Sequence, residues 1–216
     1  MLVMLDLDNT LSDRAAAVGT WVDEFVVDRG LPDRERAWIL DRDQDGYSDR
    51  RDVFEAIIDR YALADPIDDL LTAYQRRVIE LSTPTPGATS CLQDLRAAGH
   101  VLAIVSNGSS IQQHGKIDAL GLRDLVDAVI ISGDLDIKKP DPRIFEAASS
   151  AAGLPLGQAW MVGDSPLHDV VGADRCEAKT AWLNRGRTWT DPTTEPTVTI
   201  GSLAELLPAI ESAAAG

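Results

Sequence analysis

Between residues 100 and 184 the chain repeats one pattern: a short apolar run ending in small polar or acidic residues. "HVLAIVSNG", "DAVIISGD", "QAWMVGD" and "AKTAWLN" all have this form, and "TVTIGS" is a weaker edge version. Helical stretches separate them, among them "IQQHGKIDALG" and "PRIFEAASSAAG", and "AELLPAIESAAAG" follows the last. Strands without a polar face need cover on both sides. Apolar strands alternating with helices therefore predict a parallel sheet between two helical layers. The N-terminal "MLVMLD" is one more such run, and the simplest assembly joins it to the same sheet.

From about Arg14 to Leu81 the rhythm changes to helical. Val18, Trp21, Val22, Phe25 and Val26 share one face, and Gly30 is a plausible stop. "RERAWIL", "DVFEAIIDRYAL" and "IDDLLTAYQRRVIEL" complete about four helices, with Pro66 near the start of the last. "STPTPG", residues 82–87, forbids regular structure and reads as a hinge. The expected organisation is α/β: a doubly wound parallel sheet built from residues 1–13 and 84–216, with a four-helix domain, residues 14–83, inserted after the first strand.

Charge removes some function classes. Twenty basic and 35 acidic residues give a formal net charge of −15. That balance repels nucleic acid and anionic membranes, so neither is an expected partner. Cys91 and Cys176 stand far apart, which argues against a disulfide framework and for a reducing cytoplasm. "MLVMLD" meets a carboxylate too early for a signal peptide, and no apolar run approaches the roughly 20 residues that span a bilayer.

In open parallel sheets functional groups gather at the carboxyl ends of strands. Those ends hold "DLDNT", "SNG", "SGD" and "GDSPLHD", and "KKPDPRIF" opens the helix after the third. Each is weak alone: acids are common at loop starts, and Ser-Asn-Gly is an ordinary turn. Their joint occurrence in this order is far less ordinary.

On these motifs the chain resembles the haloacid dehalogenase-like (HAD) superfamily, in the phosphatase branch with a helical cap after the first strand. The match covers essentially the whole chain. "ISGDLDIKKPDPRIF" and "VGDSPLHDVVGA" are especially close to the family pattern, with His168 where many relatives carry Asn. The resemblance implies a Rossmann-like core and a Mg²⁺-dependent phosphatase acting on a small phosphorylated metabolite. It implies Asp6 as the nucleophile that forms an aspartyl-phosphate. Asp8 is the acid that protonates the leaving alkoxide and the base that then activates water. Lys139 and Ser106 face the phosphoryl oxygens. The Asp6 side chain, the Asp8 carbonyl and Asp164 hold Mg²⁺, and Asp169 supports that shell. Thr10, Asn107 and Gly108 are candidates to shape the loops around the substrate. Such residue types suit the reaction, because an anionic ester needs positive charge around the transferring group and a positioned nucleophile.

Asp8 also separates activities within the family: by resemblance, true dehalogenases lack a carboxylate there. The lysines are Lys116, Lys138, Lys139 and Lys179, so the inserted domain has none to form the Schiff base of a phosphonoacetaldehyde-hydrolase-like reaction. A sugar-phosphate mutase stays open, since it differs in whether water or a hydroxyl accepts the phosphoryl group. A rival from another class is a calcium-binding protein. "DRDQDGYSDRRD", Asp41 to Asp52, has calcium-loop spacing, although Asp stands where a bidentate Glu is usual and no second such loop exists. The same stretch offers Arg50 and Arg51 as candidates to meet an anionic substrate end.

Overall fold

The computed structural model describes residues 1–191 and 193–215. Its elements begin with β1 (Leu2–Leu5) and the helices α1 (Arg14–Asp28), α2 (Glu35–Asp43), α3 (Arg50–Tyr61), α4 (Ile67–Leu81) and α5 (Ala88–Ala97). There follow β2 (Val101–Ser106), α6 (Ser110–Ala119), β3 (Ala128–Ile131), α7 (Ser132–Leu135) and α8 (Pro142–Ala152). The chain ends with β4 (Trp160–Gly163), α9 (Gly172–Asp174), β5 (Lys179–Leu183), β6 (Val198–Ile200) and α10 (Leu206–Ala215). Two compact units result: Met1–Asp13 with Pro84–Gly216, and Arg14–Thr83.

In the larger unit six strands form one sheet in the order β3-β2-β1-β4-β5-β6. Every neighbouring pair is parallel. Alternation along each strand sends side chains to opposite faces. Val3, Leu5, Leu102, Ile104, Trp160 and Val162 pack with α5, α6 and α10 residues such as Leu92, Ile117 and Ile210. Leu2, Met4, Ala103, Val105 and Met161 pack on the other face with Ile144, Phe145 and Ala148 of α8. This is the doubly wound arrangement, with both faces dry. Six strands agree with the six apolar runs. Helix α5 is an element that the sequence reading passes over. Its buried stripe is Ala88, Cys91, Leu92 and Leu95, in which only two leucines carry a strong apolar signal.

In the smaller unit α1 to α4 bury one cluster. Trp21 stacks on Phe25 at 5.1 Å between ring centroids and meets the edge of Tyr74 at 4.8 Å. Val18, Val22, Ile39, Phe54, Ile57 and Val78 fill the rest.

The calcium-loop reading is not supported by the structure of residues 41–52. Arg14 holds both oxygens of Asp43, at 2.7 and 2.9 Å, and Arg50 bonds the same carboxylate. Asp49 caps α3 by accepting from the N–H groups of Arg51 and Asp52. Asp45 lies 3.9 Å from Arg14. Guanidinium groups and a helix end therefore take Asp43 and Asp49, two of the carboxylates that the spacing assigned to a cation. Gly46 is required here twice over: its φ is +97°, and an added Cβ would stand 2.8 Å from the Arg14 guanidinium. Arg50 also lies over the Tyr74 ring, 4.9 Å from its centroid, and Arg51 bonds Asp68.

Candidate active site

Asp6 is the first residue past β1, and its N–H donates to the Val162 carbonyl at 2.9 Å. The register pairs Leu5 with both Ile104 and Val162, which sets Asp6 between the ends of β2 and β4. Beyond it a tight turn forms: the N–H groups of Thr10, Leu11 and Ser12 all point to the Leu7 carbonyl, and Asn9 takes φ +62°. That turn separates the two acids of "DLD". Asp6 goes into the sheet edge and Asp8 goes towards α6.

Lys139, from the loop before α8, reaches the Asp6 carboxylate at 2.7 Å, Asp169 at 2.7 Å and the Val105 carbonyl at 2.8 Å. Asn107 holds that lysine's backbone by a reciprocal pair: its amide donates to the Lys139 carbonyl at 2.9 Å, and its carbonyl accepts from the Lys139 N–H at 2.8 Å. Asn107 thus joins the β2 exit to the lysine loop. Asp169 sits in the π-helical turn Pro166–Val171, and its second oxygen accepts from the Ser165 N–H at 2.9 Å. Gly163 makes room for it: an added Cβ would stand 2.1 Å from an Asp169 oxygen.

Among the described residues, the acidic group that could hold a metal ion is Asp6, Asp164 and Asp169, all buried, with one oxygen of each within 4.8 Å of the others. Hard carboxylate oxygens at this spacing suit Mg²⁺. The electrostatics agree with that fit. Burial raises the Asp6 carboxyl well above the usual carboxylate range, with Asp169 and Asp164 adding to the rise and Lys139 opposing it. Asp164 is pushed up to about 6 by burial and by Asp169, against the pull of Arg185 and Arg187. Burial works against the Lys139 ammonium, but the two carboxylates outweigh it and raise its pKa. Asp6 and Asp169 share the single ammonium of Lys139 while Asp164 meets Arg185 and Arg187, and the carboxyls of Asp6 and Asp164 are still raised, so a divalent cation among the three acids would favour their charged forms.

The other sequence candidates fall as follows. Ser106 ends β2, buried, and its hydroxyl accepts from Gln113 at 2.8 Å. Gly108 exchanges bonds with Ser132, accepting from its hydroxyl at 3.2 Å and donating to it at 2.9 Å. Thr10 is fully buried in the β1 turn, where its hydroxyl has no hydrogen-bond partner among the described residues. Asp8 stands apart from the acid cluster: Lys116 holds both its oxygens, at 2.7 and 2.9 Å, and Gln113 donates to one at 3.1 Å. Arg50 and Arg51 belong to the smaller unit and its ion pairs.

Sequence reasoning missed Gln113, Lys116, Arg185 and Arg187. Arg185 and Arg187 approach one Asp164 oxygen at 3.0 and 2.9 Å, and Arg187 also donates to the Asp164 carbonyl at 2.6 Å. The same carbonyl accepts from the Trp182 indole at 3.0 Å. The one available signal was position: "LNRGR" leaves the end of β5, another carboxyl edge.

A parallel sheet whose carboxyl edge gathers a buried acid cluster around one lysine defines an enzyme of the α/β class. The chain belongs to the haloacid dehalogenase-like hydrolases, whose family model matches residues 3–183. It is 31% identical over 195 residues to a glyceraldehyde 3-phosphate phosphatase of Pyrococcus abyssi, which covers 86% of this chain and 82% of that protein. It is 38% identical over 121 residues to a phosphoserine phosphatase of Thermus thermophilus, covering 56% of this chain. That match spans about half the length of the Thermus protein, 49%. In fold the chain is similar to the putative HAD-hydrolase YfnB of Bacillus subtilis bound to magnesium, with a TM-score of 0.81 over 97% of both chains at 22% identity.

Proposed function

We propose that this hydrolase is a Mg²⁺-dependent phosphatase of small phosphate monoesters, working through an aspartyl-phosphate on Asp6. The carrying observation is the Asp6–Lys139 contact of 2.7 Å inside the buried acid cluster. A nucleophile beside a fixed cation, at a strand end, is what phosphoryl transfer requires.

In the first step an Asp6 oxygen bonds phosphorus, the ester P–O bond breaks, and Asp8 gives its proton to the departing alkoxide. In the second, water attacks the phosphorus of the acyl phosphate and loses a proton to Asp8. Inorganic phosphate leaves and the Asp6 carboxylate returns. Lys139 offsets charge on the phosphoryl oxygens and Ser106 donates to one of them. Asp6, Asp164 and the Asp8 carbonyl would hold Mg²⁺, with Asp169 supporting. When bound, the ion supplies positive charge to the phosphoryl oxygens and lets Asp6 stay ionised near neutral pH. Residues 14–83 serve as the cap that selects the substrate. The free thiols of Cys91 and Cys176 agree with a reducing, cytoplasmic setting.

A phosphatase is favoured over a dehalogenase by Asp8, since halide needs no proton on leaving. The names of the two phosphatase relatives point the same way. Purified protein with Mg²⁺ is expected to release free phosphate from p-nitrophenyl phosphate and from members of a panel of phosphorylated metabolites. Asp6→Asn is expected to abolish it. A wild type inert across the panel, or a phosphoryl group passed to a second hydroxyl in place of water, overturns the reading.

A further inference from the structure

Of the chain's four lysines, two are buried, and each faces one acid of "DLD". Lys139 meets Asp6. Lys116, only 1% exposed, meets Asp8. Burying an ammonium group is costly unless its partner and further hydrogen bonds compensate for lost hydration. The Lys116 ammonium has that partner, touching both Asp8 oxygens at 2.7 and 2.9 Å.

Gln113 reinforces the contact. It lies three residues before Lys116 on α6, so both side chains leave the same helical face. Its amide nitrogen donates to Asp8 at 3.1 Å and to the Ser106 hydroxyl at 2.8 Å. Gln113 is itself packed tight: a Cβ added at Gly108 would stand 2.8 Å from its Cγ. One helix face therefore fixes the Asp8 carboxylate, and ties it to Ser106, which enters from the neighbouring strand.

We propose that Lys116, with Gln113, is a positioning residue that holds the Asp8 carboxylate in the orientation in which it takes a proton from the attacking water. The inference rests on the phosphatase reading and deepens it. An ammonium group on both oxygens fixes where they point, and so aims the group that serves as base in the second step. The balance is that given above: water loses a proton to Asp8 as its oxygen bonds phosphorus and the Asp6–phosphorus bond breaks.

The test uses p-nitrophenyl phosphate, whose aryloxide leaves without protonation, so the first step makes no demand on Asp8 as an acid. Steady-state rates and acid-quenched phosphoenzyme are measured with Mg²⁺ for wild type, Asp8→Asn, Lys116→Met and Lys116→Gln. If Lys116 positions the base, kcat of the folded lysine variants falls about 10- to 100-fold, a part of the roughly 100- to 10,000-fold that a general base supplies. KM falls in parallel, kcat/KM stays within about threefold, and phosphoenzyme accumulates. A purely structural lysine lowers kcat and kcat/KM together without accumulation, and that result overturns the proposal, as does an unchanged kcat. Lys116→Gln keeps a polar group in the pocket and decides the matter if Lys116→Met does not fold. Asp8→Asn tests the underlying reading separately: phosphoenzyme there, with none in the lysine variants, leaves the phosphatase mechanism standing and removes Lys116 from it. No phosphoenzyme in any protein removes both.

Discussion

Single atoms decide whether this sheet edge can work as a site, and Gly163 shows it most sharply. The last residue of β4 has no side chain, and an Asp169 oxygen uses the space at 2.1 Å from where a Cβ would sit. Asp169 cannot swing aside cheaply, because Lys139 and the Ser165 N–H hold its two oxygens. Gly163→Ala is therefore expected to cost about 1–3 kcal/mol of stability through overpacking. It should also weaken Mg²⁺ binding, read by denaturant unfolding together with metal titration. At this scale the sequence was most informative where chemistry needs a particular residue at a strand end. Asp6, Ser106, Lys139, Asp164 and Asp169 all stand at carboxyl edges or just beyond, and the structure gathers the three acids and the lysine. Gln113 and Lys116 were illegible for the opposite reason. They lie on a helix, where a polar or charged residue reads as solvated, and only the packing of α6 against the β1 turn turns them inward.

Elements carry a second lesson, seen in the loop between α2 and α3. Its carboxylate spacing is that of a cation loop, but spacing does not say what folds against it. Arg14, 29 residues before Asp43 in sequence, and Arg50, from the start of α3, take the central carboxylate. Calcium titration calorimetry is expected to give the same heats for wild type and Asp45→Ala. The Arg14–Asp43 pair is 6% and 4% exposed at its side chains. Breaking such a pair leaves a buried charge, so Asp43→Asn should lower stability by about 3–5 kcal/mol. Its pH dependence follows from direction. Burial opposes the charged form of Asp43, but Arg14 and Arg50 together outweigh it and lower the pKa. A lowered folded pKa means the contribution is present above the ordinary carboxylate value, about 4, and is lost as pH falls through the folded one. Acid unfolding of wild type below about pH 4 should therefore be steeper than that of Asp43→Asn. The elements themselves were legible from periodicity except where the signal was thin, as in α5 with its alanine and cysteine, or where backbone geometry set the outcome. The turn Ser132–Leu135 and the π-helical turn after Ser165 are of the latter kind.

On the scale of the whole molecule, like charges buried together are a strain that a cation relieves. The protein carries a net charge of −15, and three of its acids converge inside one unit. Ligands that bind the folded state alone stabilise it by mass action, by about 2.7 kcal/mol at a hundredfold excess over Kd. Mg²⁺ is thus expected to raise the melting temperature, and Asp164→Asn to remove most of that shift. No helix among the described residues is long and apolar enough to cross a membrane. In the proposed mechanism Asp6 is the nucleophile that takes the phosphoryl group. Acid-quenched turnover of a phosphate ester, followed by peptide mass spectrometry, tests it directly. One phosphoryl group is expected on the N-terminal peptide at Asp6, present with Mg²⁺ and absent in Asp6→Asn. Turnover by wild type with Asp6 never phosphorylated, or an Asp6→Asn protein as active as wild type, would contradict it.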